Sequence, residues 1–411
     1  MALSLPPLSL YVHMPWCVRK CPYCDFNSHV APEHVPQAQY IDALLEDLQS
    51  DLAAVQQRPL TSIFFGGGTP SLFAPEQVGR LLQGVRRQIE FDPGIEITLE
   101  ANPGTIEHGR FSGYRDAGVN RVSLGAQTFN EEQLRLLGRI HGQGDIVRAV
   151  SELRQAGIDN FNLDLMYALP AQTLPQALDD VHRALALQPT HISHYQLTLE
   201  PGTVFYHRPP PLPDPDDSWQ MQIDCQELLA AHGYEQYEVS AYARAGLRSR
   251  HNLNYWRFGD YIGIGAGAHG KLTVLEGAPG IVRTTRARQP RDYLSRTADT
   301  RVTERQSVAA ADLPLEFMLN GLRLIEGFDE ESFATRTGLP FMAIAATVTD
   351  AERRGLLEQD APAHWRATET GQRFLNDLQA LFLPAGPSPV RTSESSTPGI
   401  AKPPLRSSPF V

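Results

Sequence analysis

Three of the chain's four cysteines lie within eight positions near its start, in the stretch WCVRKCPYCDF at residues 16–26. The spacing Cys17-x3-Cys21-x2-Cys24 allows one loop to supply three sulfurs to a single metal centre, whose binding deprotonates the thiols. Iron–sulfur clusters are ordinarily held by Cys thiolates, and three thiolates leave one iron of a four-iron cluster with an open position. The spacing therefore predicts a [4Fe-4S] cluster that accepts a further ligand.

Other uses of the cysteines remain open. A zinc site of three cysteines and one histidine would recruit His13 or His29. Cys225 stands alone in an apolar helical pattern, MQIDCQELL, which is typical of an inert core residue. Three clustered cysteines and one isolated cysteine do not resemble a secreted disulfide framework, so we expect a reducing compartment.

Composition excludes several classes of protein. The chain has 411 residues, of which 42% are hydrophobic, and a net charge of −11. An acidic chain without a cluster of Lys or Arg is not expected to bind nucleic acid. No apolar run approaches the roughly 18 residues of a membrane span, and the N-terminus lacks the features of a secretory signal. We therefore expect a cytoplasmic protein. One short basic run could meet an acidic small molecule or form a solvated loop; it contains Arg283, Arg286, Arg288 and Arg291.

Six runs rich in β-branched and aromatic residues alternate with helical patterns. Such alternation predicts a parallel sheet, because parallel neighbours need long crossover connections. Six units predict an α/β fold in the form of an open, partial (β/α)6 TIM-type barrel, with functional groups at the carboxyl ends of its strands. A flat, doubly wound sheet is the alternative. The runs are residues 9–14, 61–65, 95–100, 121–125, 161–166 and 191–197.

Shifts in composition divide the chain further. The proline-rich HRPPPLPDPDD at 207–217 marks the end of the barrel, which we place at residues 1–206. Residues 207–312 are predicted to form an accessory α+β region and residues 313–383 a small, helix-rich C-terminal domain. Residues 384–411 are dominated by Pro, Ser and Thr, and we expect them to be disordered.

Polar residues follow several of the predicted strands. The loop FFGGGTP at 64–70 places three glycines at a strand end, where the backbone can approach a ligand. Carboxylates at the same edge suit ribose hydroxyls and amino groups. The candidates for one common ligand are Glu100, Gln127, Arg139 and Asp164, with Tyr11 and Tyr23 flanking the cysteines. A second glycine-rich stretch, GIGAGAHG at 263–270, is followed by a strand-like run, so we expect close backbone packing there and not a nucleotide site.

The cysteine spacing followed by the GGGTP loop resembles the radical S-adenosylmethionine (SAM) superfamily. From Leu8 to Leu383 the order and spacing of the motifs resemble the oxygen-independent coproporphyrinogen oxidase family. The motifs are LSLYVHMPWC, CPYCDF, GGGTPS, LEANPG, GAQTF, GRIH and DLMYALPAQT. The resemblance implies that Cys17, Cys21 and Cys24 hold a [4Fe-4S] cluster and that SAM chelates its open iron. By motif match it implies SAM contacts at Tyr11, Tyr23, Gly67, Gly68, Thr69, Glu100, Gln127, Arg139 and Asp164.

Phe26 distinguishes between branches of this family. The true coproporphyrinogen dehydrogenases have a further cysteine two positions after the third, together with an N-terminal extension that this sequence lacks. The pattern CDF instead resembles a branch of heme chaperones. The stretch RHNLNYW at 250–256 matches a motif associated with heme binding in that branch. His251 is then the candidate axial ligand, because His commonly binds heme iron. From the residues alone, a satisfied loop histidine is the favoured interpretation.

The resemblance therefore implies a protein that binds heme and transfers it to acceptors such as respiratory enzymes, some of them membrane-associated. The alternative is oxidative decarboxylation of coproporphyrinogen III to protoporphyrinogen IX. No catalytic residue is assigned, and homodimer formation and productive SAM cleavage remain open.

Overall fold

The computed structural model describes residues 2–104 and 109–384. The predicted tail, residues 384–411, lies outside this part of the chain except for its first residue. The strands are, in chain order, β1 (Leu8–Met14), β2 (Trp16–Cys17), β3 (His29–Val30), β4 (Leu60–Gly67), β5 (Phe91–Ala101), β6 (Arg121–Gln127), β7 (Phe161–Tyr167), β8 (His191–Gln196), β9 (Glu235–Glu238), β10 (Ala241–Ala243), β11 (Asp260–Ile264), β12 (His269–Val274), β13 (Gly280–Arg286), β14 (Val302–Ser307), β15 (Phe328–Asp329), β16 (Leu357–Ala361) and β17 (His364–Ala367).

Helices connect most of these strands. They are α1 (Gln37–Gln49), α2 (Leu52–Val55), α3 (Pro75–Arg86), α4 (Phe111–Ala117), α5 (Glu131–Leu136), α6 (Gln143–Gln155), α7 (Leu174–Ala186), α8 (Val204–His207), α9 (Pro215–Ala231), α10 (Arg250–Trp256), α11 (Pro290–Ser295), α12 (Ala298–Arg301), α13 (Leu313–Gly321), α14 (Glu330–Thr337), α15 (Ala345–Arg353), α16 (Glu369–Arg373) and α17 (Leu375–Ala380). None of the helices in the described ranges combines the length and apolar character that a bilayer crossing requires.

The six predicted strands are β1, β4, β5, β6, β7 and β8, and they lie side by side in this order with parallel pairing. Their side chains are buried on both faces, as expected for a sheet covered by crossover helices. The parallel pairing brings all six carboxyl ends to one edge. Within the described residues the sheet is open, because its two edge strands, β14 and β9, do not pair with each other. The prediction of an open α/β barrel-type sheet is confirmed.

The accessory strands do not form a sheet of their own. They extend the same sheet at both edges: β10 and β9 follow β8, while β11 pairs with β1 in parallel and leads to β12, β13 and β14. The final region packs α13, α14, α15 and α17 around an apolar cluster that also includes Phe258 and Ile281. It contains a small three-stranded sheet, β15–β17–β16. The domain boundaries stay a prediction.

The stretch at 263–270 is a tight hairpin between β11 and β12, and its glycines allow close packing, as predicted. Gly265 has φ +106°, and a Cβ there would lie 2.4 Å from the carbonyl oxygen of His13. The hairpin therefore lies directly against the end of β1. This contact brings the accessory strands to the edge of the sheet where functional groups were expected.

A buried ion network connects strand β13 to helix α1. Arg286 on β13 has no exposed surface and forms ion pairs with Asp47 and Asp51. Tyr293 donates a hydrogen bond to Asp47 Oδ2 at 2.8 Å. Arg283 on the same strand pairs with Glu316. Two members of the basic run are therefore paired within the fold and do not belong to a solvated loop.

Candidate functional site

The cysteine loop connects β2 to β3. Cys17 ends β2, and Cys21 and Cys24 lie in the loop, each half-buried. Lys20 Nζ donates hydrogen bonds to the carbonyl oxygens of Phe26 (3.3 Å) and Ser28 (3.2 Å). These bonds cross the loop and restrain its two sides relative to each other.

The environment of the thiols favours their neutral form. Burial raises the pKa of Cys24 to about 11 and raises that of Cys17, although nearby hydroxyl groups oppose both shifts. A metal would therefore have to displace the protons. No group of three or more His, Cys, Asp or Glu side chains in residues 2–104 and 109–384 converges to hold a single metal ion. Three sulfurs on one loop still suit a cluster, since each thiolate of a four-iron cube binds a different iron.

Arg139 lies beside the cysteine loop and connects it to the strand ends. Its Nη1 is 3.7 Å from Cys21 Sγ, and its Nη2 donates to the carbonyl oxygen of Gly125 (2.8 Å) and to Asn102. Asn102 in turn donates to Thr69 Oγ1 at 3.0 Å. The guanidinium therefore supplies positive charge where thiolates would carry negative charge. Burial raises the pKa of Tyr23, which also lies close to Arg139 and Cys21.

The glycines after β4 are required first by packing within the protein. Gly67 has φ +110°, and a Cβ there would lie 2.4 Å from the imidazole ring of His13. A Cβ on Gly68 would lie 2.6 Å from the carbonyl oxygen of Trp16. The amide of Gly68 donates to the carbonyl oxygen of Met14 (2.7 Å) and that of Thr69 to Trp16 (2.8 Å). Two amides of the loop are therefore already bonded to the protein.

Two buried carboxylates interact across the sheet, Glu100 near the end of β5 and Asp164 in the middle of β7. Burial and the charge of Asp164 raise the pKa of Glu100 to about 8, although the amide of Gly67 donates to its Oε2 at 3.2 Å. Burial also raises the pKa of Asp164, which accepts hydrogen bonds from Asn162 (2.7 Å) and Ser123 (3.1 Å). A buried acidic pair of this kind favours a cationic ligand.

Gln127 ends β6 in an unusual conformation for a residue with a side chain, with φ +68°. A Cβ built on Gly125 would lie 2.9 Å from Gln127 Nε2 and 3.1 Å from Arg139 Nη2. The side chains of Gln127 and Arg139 therefore both lie against Gly125. The motif residues at the end of β6 and after α5 therefore come together in the structure.

His251 lies in helix α10 and not in a loop. Ser249 caps the helix, and the carboxylate of Glu96 accepts hydrogen bonds from the amides of Arg250 and His251, both at 3.2 Å. The imidazole stacks on Phe64, with ring centroids 4.7 Å apart, and its Nδ1 lies 3.4 Å from Ser62 Oγ. Burial, with a smaller contribution from the charge of Arg121, lowers the pKa of His251 to about 3. The imidazole is therefore neutral at physiological pH.

A cavity of about 430 Å³ opens beside this helix. Its wall combines three parts of the sequence: Tyr11, Gly67 and Glu100 at the strand ends, Asp25, Phe26 and Asn27 after the last cysteine, and His251, Tyr255 and Trp256 of α10. Thr69, Arg139 and Cys21 line a smaller neighbouring cleft of about 40 Å³. Four of the residues predicted to contact SAM do not line either space: Tyr23, Gly68, Gln127 and Asp164. The larger cavity falls in the size range of sites for small organic ligands.

His13 and His29, the histidines considered for a zinc site, differ in their surroundings. Both ring nitrogens of His13 are engaged, Nδ1 with Tyr11 Oη and Nε2 with the carbonyl oxygen of Asn27, each at 3.0 Å. Burial lowers the pKa of His13 to about 4. These contacts identify His13 as a satisfied core histidine. His29 pairs with Trp16 in the short β2–β3 ladder.

Several residues of this site were not predicted from the sequence. Asn27 donates through Nδ2 to the carbonyl oxygens of Ala266 and Arg288, both at 2.9 Å, and so connects the cysteine loop to the accessory strands. Asn102 follows Ala101 in the quoted LEANP motif, and its polar side chain was a signal that could have been used. Arg288 and Arg323 also line the cavity, but no local pattern indicates this.

The fold and the cysteine loop define a radical SAM protein. The sequence profile of the radical SAM superfamily matches residues 11–184, and that of the HemN C-terminal domain matches residues 308–374. The structure is similar to that described as coproporphyrinogen III oxidase (HemN) from Escherichia coli, a radical SAM enzyme. The TM-score is 0.77 at 23% identity, with 92% of this chain and 90% of the other covered. At this identity the likeness concerns the fold alone.

Sequence relatives identify the branch. Heme chaperone HemW from Haemophilus influenzae is 50% identical over 384 residues, which cover 92% of this chain and 99% of the relative. Heme chaperone HemW from Escherichia coli is 49% identical, with coverage of 93% and 99%, and that from Bacillus subtilis is 33% identical, with coverage of 91% and 99%. The chain belongs to the HemW family, so the branch indicated by Phe26 and the HNLNYW motif is confirmed.

Proposed function

We propose that this protein is a heme chaperone, which binds heme in the cavity beside α10 and passes it to acceptor proteins. The observation that carries the proposal is the composition of this cavity. The HNLNYW helix and the cysteine loop, far apart in the sequence, line one space. Membership of the HemW family supports the same function.

The cavity suits a planar, largely apolar ligand with a metal at its centre. Phe64, Tyr255 and Trp256 supply aromatic surface. His251 is neutral, and its Nδ1 contact with Ser62 leaves Nε2 for coordination to heme iron. We therefore assign His251 as the axial ligand in this proposal.

We further propose that Cys17, Cys21 and Cys24 bind a [4Fe-4S] cluster, and that the nine residues named from the motifs bind SAM. When bound, the reduced cluster can supply an electron to the sulfonium of SAM. Arg139 would balance the charge of the thiolates, and Glu100 and Asp164 would hold the amino group or ribose hydroxyls. A cation beside Glu100 would lower its pKa and release its proton.

The protein is proposed to act in the cytoplasm, with respiratory enzymes as the acceptors of heme, including membrane-associated ones. These assignments are supported by the family resemblance and not by any contact in the structure.

Anaerobic reconstitution and heme titration test the function. The reconstituted protein should contain about four irons and four sulfides per chain, as expected for the cluster, and Cys21→Ser should lose them. Hemin should give a shifted Soret band that weakens in His251→Ala. His232→Ala is the matched control, because His232 is an exposed histidine that does not line the cavity.

Three results would overturn parts of the proposal. A colourless, zinc-containing protein would exclude the cluster. An unchanged Soret band in His251→Ala would exclude this residue as the ligand. Anaerobic conversion of coproporphyrinogen III to protoporphyrinogen IX, with SAM and a reductant, would replace the chaperone function with the oxidase activity.

A further inference from the structure

The charged residues of the cavity wall are mostly acidic. Asp25, Glu100, Glu238 and Glu304 carry carboxylates, and among the described residues that line the cavity the two arginines are Arg288 and Arg323. Among the charged groups that line the cavity in the described residues, these two guanidinium groups are the ones suited to pair with a free ligand carboxylate.

Arg323 already has protein partners. Its Nη2 is 3.0 Å from Glu238 Oε2, and its guanidinium lies over the indole ring of Trp256, 4.3 Å from the centroid. Binding a ligand carboxylate through Arg323 would mean breaking or sharing the pair with the largely buried Glu238.

Arg288 differs from Arg323 in each of these respects. Its side chain is exposed, and none of the ion pairs within residues 2–104 and 109–384 includes it. Its backbone is fixed, because the carbonyl oxygen accepts a hydrogen bond from Asn27 Nδ2 at 2.9 Å. His269, Thr285 and Glu304 line the cavity near it, and Glu304 faces Thr285 across the β13–β14 pair. The cavity thus has a buried aromatic side at His251 and an exposed cationic group at Arg288.

We propose that Arg288 binds a ligand carboxylate at the mouth of the cavity, so that the site selects planar ligands with an apolar ring and a free carboxylate on one edge. For heme, this group is a propionate. The inference rests on the proposed heme function and adds a determinant of specificity to it. Arg suits the role, because its planar guanidinium can donate two parallel hydrogen bonds to one carboxylate.

The test compares hemin with hemin dimethyl ester, in which the propionates are blocked, by Soret titration of the cluster-loaded protein. Arg288→Ala should weaken hemin binding about three- to tenfold, the range for a charge-assisted contact at a partly exposed site. Arg288→Lys should lose less hemin affinity than Arg288→Ala. The dimethyl ester should bind the unchanged protein and Arg288→Ala equally well. Arg291→Ala is the matched control, since Arg291 is also exposed but does not line the cavity.

The outcomes distinguish the proposed Arg288–carboxylate contact from the proposed heme function. Equal hemin affinities for the unchanged protein and Arg288→Ala would overturn the role of Arg288 alone. A loss of hemin affinity seen only in Arg323→Ala would do the same. The role of Arg288 would also be overturned if Arg288→Ala lost affinity for the dimethyl ester as much as for hemin. A loss of SAM binding in Arg288→Ala, with hemin binding unchanged, would assign the guanidinium to the SAM carboxylate instead. Failure of the unchanged protein to bind hemin would overturn the heme function together with this inference.

Discussion

The rings of Tyr11 and His251 lie nearly parallel, 6.3 Å apart between centroids with an interplanar angle of 27°. Phe64 completes the group, with centroids 6.3 Å from Tyr11 and 4.7 Å from His251. Tyr11 belongs to the residues proposed to bind SAM, and His251 to the motif proposed to bind heme. The two proposed ligands therefore share one aromatic wall.

Replacement of Tyr11 tests this shared wall. An aromatic pair contributes about 0.5–1.5 kcal/mol beyond its buried area, so Tyr11→Ala should weaken hemin binding about two- to tenfold. Tyr11→Phe keeps the ring and loses only the hydroxyl contact with His13 Nδ1, so its hemin affinity should stay close to that of the unchanged protein. Soret titration measures both, and equal affinities in all three proteins would show that the stack does not support the ligand.

Glu96 is expected to position His251. Its carboxylate accepts two amide hydrogens at the start of α10, so Glu96→Ala should lower the free energy of unfolding by about 1–3 kcal/mol, the cost of leaving buried donors unsatisfied. The electron paramagnetic resonance spectrum of bound ferric heme should also differ between Glu96→Ala and the unchanged protein. Urea denaturation gives the free energy, and Glu90→Ala, at an exposed position just before β5, is the control. A destabilised variant with an unchanged heme spectrum would mean that Glu96 supports the fold without orienting the ligand.

The pKa of Glu100 predicts a pH dependence of stability. Burial and Asp164 raise it from 4.5 to about 8 in the folded protein, so folding takes up a proton between these values. The stability contribution of this group is complete below pH 4.5 and is lost as the pH rises through about 8, with a slope of at most ~1.4 kcal/mol per pH unit. Without SAM, Glu100→Gln should therefore gain stability relative to the unchanged protein as the pH rises. Denaturation curves at pH 5, 6.5 and 8 measure the difference in the free energy of unfolding between the two proteins. A difference that does not vary with pH would contradict the prediction.

The ion network of Arg286 should be essential for the fold. Removing one member of a buried ion pair leaves the other charges uncompensated and costs about 3–5 kcal/mol, so Arg286→Met should destabilise the protein by this amount. Arg291→Ala, at an exposed position a few residues later, should change the free energy of unfolding by no more than about 0.5 kcal/mol. Similar denaturation midpoints for the two variants would show that the network contributes little.

Local patterns were sufficient to predict the central sheet. The β-branched and aromatic runs locate all six parallel strands, and the largest difference is at β5, which begins at Phe91 and not at residue 95. The alternation of strands and helices also predicts their parallel pairing correctly. These features depend on neighbours in the sequence, which is why composition and periodicity reveal them.

Long-range pairing could not be predicted in the same way. The role of Arg286 depends on Asp47 and Asp51, which belong to a distant helix. The helical state of His251 depends partly on Glu96, 155 positions earlier. Each motif of the candidate site was recognisable by itself. That the cysteine loop and the HNLNYW helix line one cavity depends on long-range contacts, among them the pairing of β11 with β1.

The same pairing has a consequence for synthesis of the protein. Strand β1 is almost fully buried and pairs along its outer side with β11, where Val12 lies opposite Ile264. A nascent chain therefore carries an apolar strand with one bare edge until most of the polypeptide has left the ribosome. Bare edges of this kind recruit strands from other chains. Premature termination before Ile264 should consequently give aggregating fragments.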